Sequence, residues 1–306
     1  MKPASNGILN RQYSKGDYFM QYINKTYDNE RVLYGIHHAQ VIDCNFDGPA
    51  DGESALKETA NLSVQNCFFN LRYPLWHNHN TEIINSAMTD KCRAAMWYDS
   101  NITLQNCDLN GIKALRECSA VKLENCRINS AEFGWKCRDV NIKDCELVSE
   151  YPFFESSNLT VDNLKMNGKY SFQYVENAIF RNCELKTKDA FWHSKNVTVI
   201  DSVVYGEYLG WYAENLTFIR CKIIGTQPLC YCKNLKLTDC TMENTDLAFE
   251  RSDVHVYILN AVDSVKNPLR GEISASSIGN LILETDIINP ADTKIICRDK
   301  QNCACA

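Results

Sequence analysis

Tyrosines, acids and a histidine recur in this sequence at a fixed interval, and the interval is what would let them act together. One series reads His77, Tyr98, Glu117, Lys136, Glu155, Tyr174, His193, Tyr212, Tyr231 and Glu250, in steps of 19 after the first. A second reads Tyr151, Tyr170, Asp189, Tyr208, Gln227 and Asp246, again in steps of 19. If each interval is one coil of a stack, successive members stand about 4.8 Å apart along one face. Such a face suits sugars, because aromatic rings stack on them and polar groups bind their hydroxyls. The expected binding residues are Tyr98, Tyr151, Tyr170, Tyr174, Tyr208, Tyr212, Tyr231 and His77. The expected polar or acid/base groups are Asp189, His193, Glu155, Asp246 and Glu250.

Catalysis asks for more than a face. A glycosidase places two carboxyl groups roughly 5–9.5 Å apart. Glu117 and Glu155, two intervals apart, would be about 9.6 Å apart, but Lys136 between them favours a charge ladder. Asp189 and His193 on one extended strand would be roughly 13 Å apart, too far for a dyad. His37, His38, His77 and His79 lack a third ligand, so neither a metal nor a cofactor is expected. An enzyme on this face would be lyase-like or glycoside-hydrolase-like. The alternative is a non-catalytic scaffold, whose tyrosine ladder stabilises a sheet or covers a second copy of the chain.

The elements that must position these residues follow from the same interval. Cysteine stands at 107, 126, 145, 183, 221 and 240, with Leu164 and Ser202 in the skipped registers. Six residues earlier comes Asn101, Ala120, Asp139, Asn158, Asn177, Asn196, Asn215 or Asn234. An apolar-polar-apolar triplet follows, as in Val121-Lys122-Leu123 and Leu159-Thr160-Val161. A second short strand begins at the cysteine, and an aromatic third strand precedes the next Asn. Period-2 alternation in segments too short for helices means β. Because every coil runs the same way, the pairing is parallel. The fold predicted is an all-β, single-stranded, right-handed parallel β-helix with three short strands per coil and capped ends. The pattern aims Trp135, Pro152, Phe154, Trp192 and Trp211 inward with Cys118, Cys137, Ser156, Ser194, Ala213 and Cys232. A one-residue slip would reverse that phase.

The chain divides into an N-terminal cap over 1–35, a β-helix over 36–288 and a C-terminal tail or cap over 289–306. Repetition starts at Val41-Ile42-Asp43-Cys44, with an inserted turn at 47–53, and Asn280-Leu281-Ile282-Leu283 reads as one late coil. With 306 residues, 45% hydrophobic residues and a net charge of −6, the composition argues against a nucleic-acid partner. The first 30 residues carry no signal-like apolar core, and no stretch suits a membrane span. A cytoplasmic location follows as an expectation. The 16 cysteines are then mostly thiols, and the periodic ones are small core residues. Cys230, Cys232, Cys297, Cys303 and Cys305 cluster without a zinc-site spacing. Partners that fit are an oligosaccharide or a second copy.

Several segments in order resemble one family: GPADGESALKET (48–59), NLRYPLWH (70–77), GIKALREC (111–118), KYSFQYVENA (169–178), KDAFWH (188–193), GEYLGWY (206–212), GTQPLCYCKNLKL (225–237) and DLAFE (246–250). They are similar to the domain of unknown function 3737, from about Arg31 to Glu284. The resemblance implies a right-handed β-helix of the pectate-lyase-like kind in a cytosolic setting. It supplies no activity and no catalytic residues. The paired-aspartate pattern of polygalacturonases does not occur in the chain, so that mechanism does not transfer.

Overall fold

A computed structural model describes residues 20–299. The parts of the expected cap and tail at 1–19 and 300–306 lie outside the described residues, as do Cys303 and Cys305. The triplets form the first side of a parallel β-solenoid. Thr81 pairs with Ile102, Ile102 with Val121, Val121 with Val140, Val140 with Leu159 and Leu159 with Ala178. These side chains are buried in one continuous core. The second side starts after a corner and is two or three residues long, as in Arg127–Asn129 and Val203–Tyr205.

The repeat residues are corner residues, and their chemistry explains their types. Asn158, Asn177, Asn196 and Asn215 have φ between 54° and 58°, the left-handed region that Asn tolerates better than most residues. Their side chains also bond up the stack: Asn196 Nδ2 donates to Asn177 Oδ1 at 3.0 Å, and Asn215 Nδ2 to Asn196 Oδ1 at 2.8 Å. At the next corner the backbone turns left-handed again at Asn125, Asn182 and Asp201. After Asn125 and Asn182 the next amide finds its partner in the coil above. Cys126 N–H donates to Cys145 Sγ at 3.4 Å, and Cys183 N–H to Ser202 Oγ at 2.9 Å. The cysteines from Cys44 to Cys240 are buried free thiols. They are therefore small hydrogen-bonding residues as well as filler, which is why serine substitutes for them.

Among the described residues the third side is a strand at Leu75–Trp76, Met96–Trp97 and Leu115–Arg116, and again near the C-terminal end at Val262–Lys266, which stacks on the coil of Ala248. In between it is a pile of turns in which φ alternates in sign. Tyr170, Phe172 and Tyr174 have φ of 51°, 59° and 57°, and Asp189, Phe191 and His193 have 52°, 59° and 55°. This changes which residues face inward. Phe153, Phe172 and Phe191 are fully buried and stack at 6.0 and 5.2 Å. Phe154, Trp135, Trp192 and Trp211, expected inside, are only half-buried. The two-residue period of a strand does not hold where the backbone is not extended. Four of the tryptophans use their ring N–H to tie coils together: Trp76 to Ala94 O, Trp135 to Tyr151 O, Trp192 to Tyr208 O and Trp211 to Gln227 O, at 2.6–2.8 Å. Pro152 and the small corner residues are buried where the repeat places them.

The stack also outruns the repeat at both ends. Met20–Ile23 pairs with Ala39–Ile42, and Thr26–Tyr27 with Asn45–Phe46. Coils thus begin before residue 36, hidden in the sequence because Lys25 stands where Cys44 stands one coil later. At the other end Arg270–Ala275 is the first-side strand, and Thr293–Cys297 adds a further one within the expected tail. Asn280–Leu283 does not open a coil. Ile278–Ile282 pairs instead with Val262–Lys266 in a separate small sheet. The register disappears there because one step shortens to 17 residues (Asp253 to Arg270) and the next lengthens to 22 (Gly271 to Thr293).

Candidate functional site

The outward aromatic residues sit at left-handed positions that end the third side. Tyr174, His193, Tyr212 and Tyr231 have φ of 57°, 55°, 60° and 61°. Each directly precedes a buried corner residue, so the turn that buries the latter throws the ring outward. The four rings stack face to face, with centroids 4.9, 5.0 and 4.8 Å apart and planes within 11°. His77 and Tyr98 stack the same way at 5.1 Å, and Tyr151 and Tyr170 at 4.8 Å. Tyr208 lies edge-on to Trp211 at 5.5 Å, with the Lys188 ammonium 5.5 Å from its ring centre. Tyr98, Tyr174 and Tyr212 remain nearly half exposed. Inside each stack the ring faces cover one another. What reaches solvent is a line of ring edges, hydroxyls and imidazole nitrogens at one coil spacing.

The acids are arranged differently from a catalytic pair. Glu155 is ion-paired with Lys136 at 3.4 Å, and Glu250 with Lys266 at 3.1 Å. Glu250 holds the Lys266 pKa above its usual value. Asp246 accepts a hydrogen bond from the Thr226 hydroxyl. Asp189 is buried, and burial pushes its carboxyl pKa up, with Lys188 opposing and Glu207 adding to the rise. No hydrogen bond joins Asp189 to His193, whose ring is sandwiched between tyrosines. Glu155, Glu250, Asp246 and His193 are thus held by cations, a hydroxyl or rings, Asp189 is buried, and none of the five is paired with another. The arrangement can donate and accept hydrogen bonds along its length.

Two features escaped the sequence reading. The Arg116 guanidinium lies between the Trp97 and Trp135 rings at 5.0 and 4.8 Å, and bonds Glu132 at 3.2 Å. Inside the first coils, Thr59 N–H donates to Asn78 Oδ1 at 3.0 Å and Asn78 N–H to Asp99 Oδ1 at 2.8 Å. Asp99 is 1% exposed and its second oxygen has no partner. Burial raises its pKa well above the usual carboxylate range. The signal was available: Asn78 and Asp99 occupy the register of Cys118 and Ser156, where a side chain must accept the amide of the coil below.

Among the described residues, no group of three or more His, Cys, Asp or Glu is placed to hold a metal ion. Among them, too, no helix is long and apolar enough to cross a membrane. No curated protein matches the chain. Among solved structures, a surface adhesin of Streptococcus pneumoniae aligns with 79% of this chain and 75% of its own, at 11% identity and a TM-score of 0.41. The A-module of a mannuronan C-5 epimerase from Azotobacter vinelandii aligns over 89% and 80%, at 9% identity and 0.36. A mannuronic-acid-specific family 6 polysaccharide lyase from human gut microbiota aligns over 90% and 84%, at 10% identity and 0.37. Likeness at this level says nothing of a shared ligand or reaction. The family described as "Protein of unknown function (DUF3737)" matches residues 20–296, nearly the whole described solenoid, and this chain belongs to it.

Proposed function

We propose that this protein binds a linear carbohydrate along the outward face of its third side, without turning it over. The observation that carries this reading is the Tyr174–His193–Tyr212–Tyr231 stack, a row of polar ring edges repeating every 4.8–5.0 Å. The neighbouring Tyr151, Tyr170 and Tyr208 widen the face. Tyr98 and His77 extend it toward the N-terminus. His193, Glu155, Asp246 and Glu250 serve as hydrogen-bonding groups in this reading, and Asp189 is too buried to join them.

A second reading has its own observation. Rings that cover one another's faces stabilise the stack, and an exposed aromatic strip also suits contact with a second copy of the chain. A thermal-shift screen with a panel of oligosaccharides separates the two readings, run on wild type, Tyr170→Ala and Tyr212→Ala. The proposal predicts a saccharide that raises the wild-type Tm and loses its effect in at least one variant. No shift with any saccharide would contradict it. A dimer in sedimentation velocity that Tyr212→Ala dissociates would then establish the scaffold.

A further inference from the structure

A groove runs along the solenoid axis at the corner between the second and third sides, beside the Tyr151–Tyr170–Asp189–Tyr208 series. It consists of three contiguous depressions of about 330, 390 and 420 Å³. Asn129 and Val148 line both the first and the second, and Asn167 and Gly168 both the second and the third. One wall is a single in-register column on the second side: Asn110 pairs with Asn129, Asn129 with Val148, Val148 with Asn167, Asn167 with Lys186 and Lys186 with Tyr205. The floor is backbone. A Cβ on Gly168 would sit 1.9 Å from Ser149 O, and one on Gly206 would sit 2.2 Å from Thr187 O. The opposite wall is formed by Glu150, Lys169, Lys188 and Glu207, each directly before a member of the tyrosine series. From Asn110 to Tyr205 the column rises five coils, roughly 24 Å at the usual strand spacing.

The charges in the groove are already spoken for. Arg127 is paired with Asp108 at 2.7 Å, Lys169 with Glu150 at 3.0 Å, Lys186 with Glu184 at 2.9 Å and Lys188 with Glu207 at 3.2 Å. Each cation that lines it is thereby engaged, whereas Glu146 forms no ion pair with a described residue. A uronate or phosphate would have to displace a resident carboxylate at each step and would also face Glu146. By contrast, the side-chain amides of Asn129 and Asn167 make no hydrogen bond to any described residue and are exposed. An amide offers both a donor and an acceptor, which is the complement of a sugar hydroxyl. Tyr205, 37% exposed, closes the upper end of the column with an apolar ring.

We infer that this groove takes a neutral, linear oligosaccharide lying parallel to the solenoid axis, with its hydroxyls on Asn129 and Asn167. The inference rests on the carbohydrate-binding reading and narrows it to an uncharged glycan chain on one edge of the face. The test is isothermal titration with two length series, neutral gluco-oligosaccharides and oligouronates of two to eight units, at low and high NaCl. It is run on wild type, the double variant Asn129→Ala/Asn167→Ala, and Val148→Trp, which fills the groove from an exposed position. Neutral chains are expected to bind more tightly with length up to about five or six units and then level off. Their affinity should be insensitive to salt, and both variants should weaken it by about tenfold or more. Oligouronate binding that collapses with salt would overturn the inference while sparing carbohydrate binding as such. So would neutral-sugar binding that neither variant changes. If neither series binds at all, the carbohydrate reading falls, and the groove assignment falls with it.

Discussion

Single side chains at the corners of the coils decide more than the aromatic ones on the face. Asp99 is the clearest case, a buried acid whose folded pKa lies above its unfolded value. The folded chain holds a proton that the unfolded chain releases from about pH 4 upward, so stability falls as pH rises through that range and stays low above the folded pKa. Asp99→Asn keeps an acceptor for the Asn78 amide and removes the charge. It is expected to raise the Tm at pH 7 and to flatten the loss of stability above about pH 4, measured by thermal unfolding across pH. A lower Tm at pH 7 would show that the carboxylate is itself stabilised. Ser202 tests the corner rule. Ser202→Ala leaves the buried Cys183 amide without its acceptor and should cost about 1–3 kcal/mol. Ser202→Cys, which restores the residue type found at most of these corners, should unfold near the wild-type temperature.

Whole elements were legible to different degrees. The first and second sides could be read directly, because the Asn and Cys columns name both corners and the triplets between them are extended. Ala120 is the exception in the Asn column. It keeps the left-handed backbone, φ 54°, without the side chain that favours it. Ala120→Asn should therefore stabilise the protein by about 1 kcal/mol, through the relieved backbone and a new bond to Asn101, readable as a raised Tm. The third side was legible in membership but not in conformation. Its columns stay in register, since a 19-residue interval fixes the column whatever the backbone does, but Asp189, expected outside, is buried. Its inward residues were misassigned, because the segment from Phe153 to Phe191 alternates the sign of φ and buries phenylalanines that an extended strand would expose. Nothing in Tyr170-Ser171-Phe172-Gln173-Tyr174 distinguishes the two backbones. The groove escaped notice for a related reason: its floor is glycine and its wall is an asparagine column whose outward aim emerges only from the register.

At the scale of the molecule, each coil contacts mainly its neighbours, so stability is a sum along the axis. A defect in the middle should stay local. Gly168→Ala forces a Cβ into Ser149 O, and limited proteolysis should then cut within 149–187 before it touches the coils near either end. Uniform loss of protection along the chain would mean that the solenoid unfolds as one unit. The same linear build gives the functional account its shape. A column of like residues at a constant rise favours a ligand that also repeats along the axis. It also explains why the five expected acid/base groups do not pair with one another, since neighbouring coils offer ion pairs such as Lys136–Glu155 before they offer a second acid. The most direct test is hydrogen–deuterium exchange with and without a neutral hexasaccharide. The account predicts protection confined to segments 129–135, 148–155, 167–174, 186–193, 205–212 and 224–231, with the first side unchanged. Unchanged exchange throughout, or protection on the first-side strands instead, would contradict it.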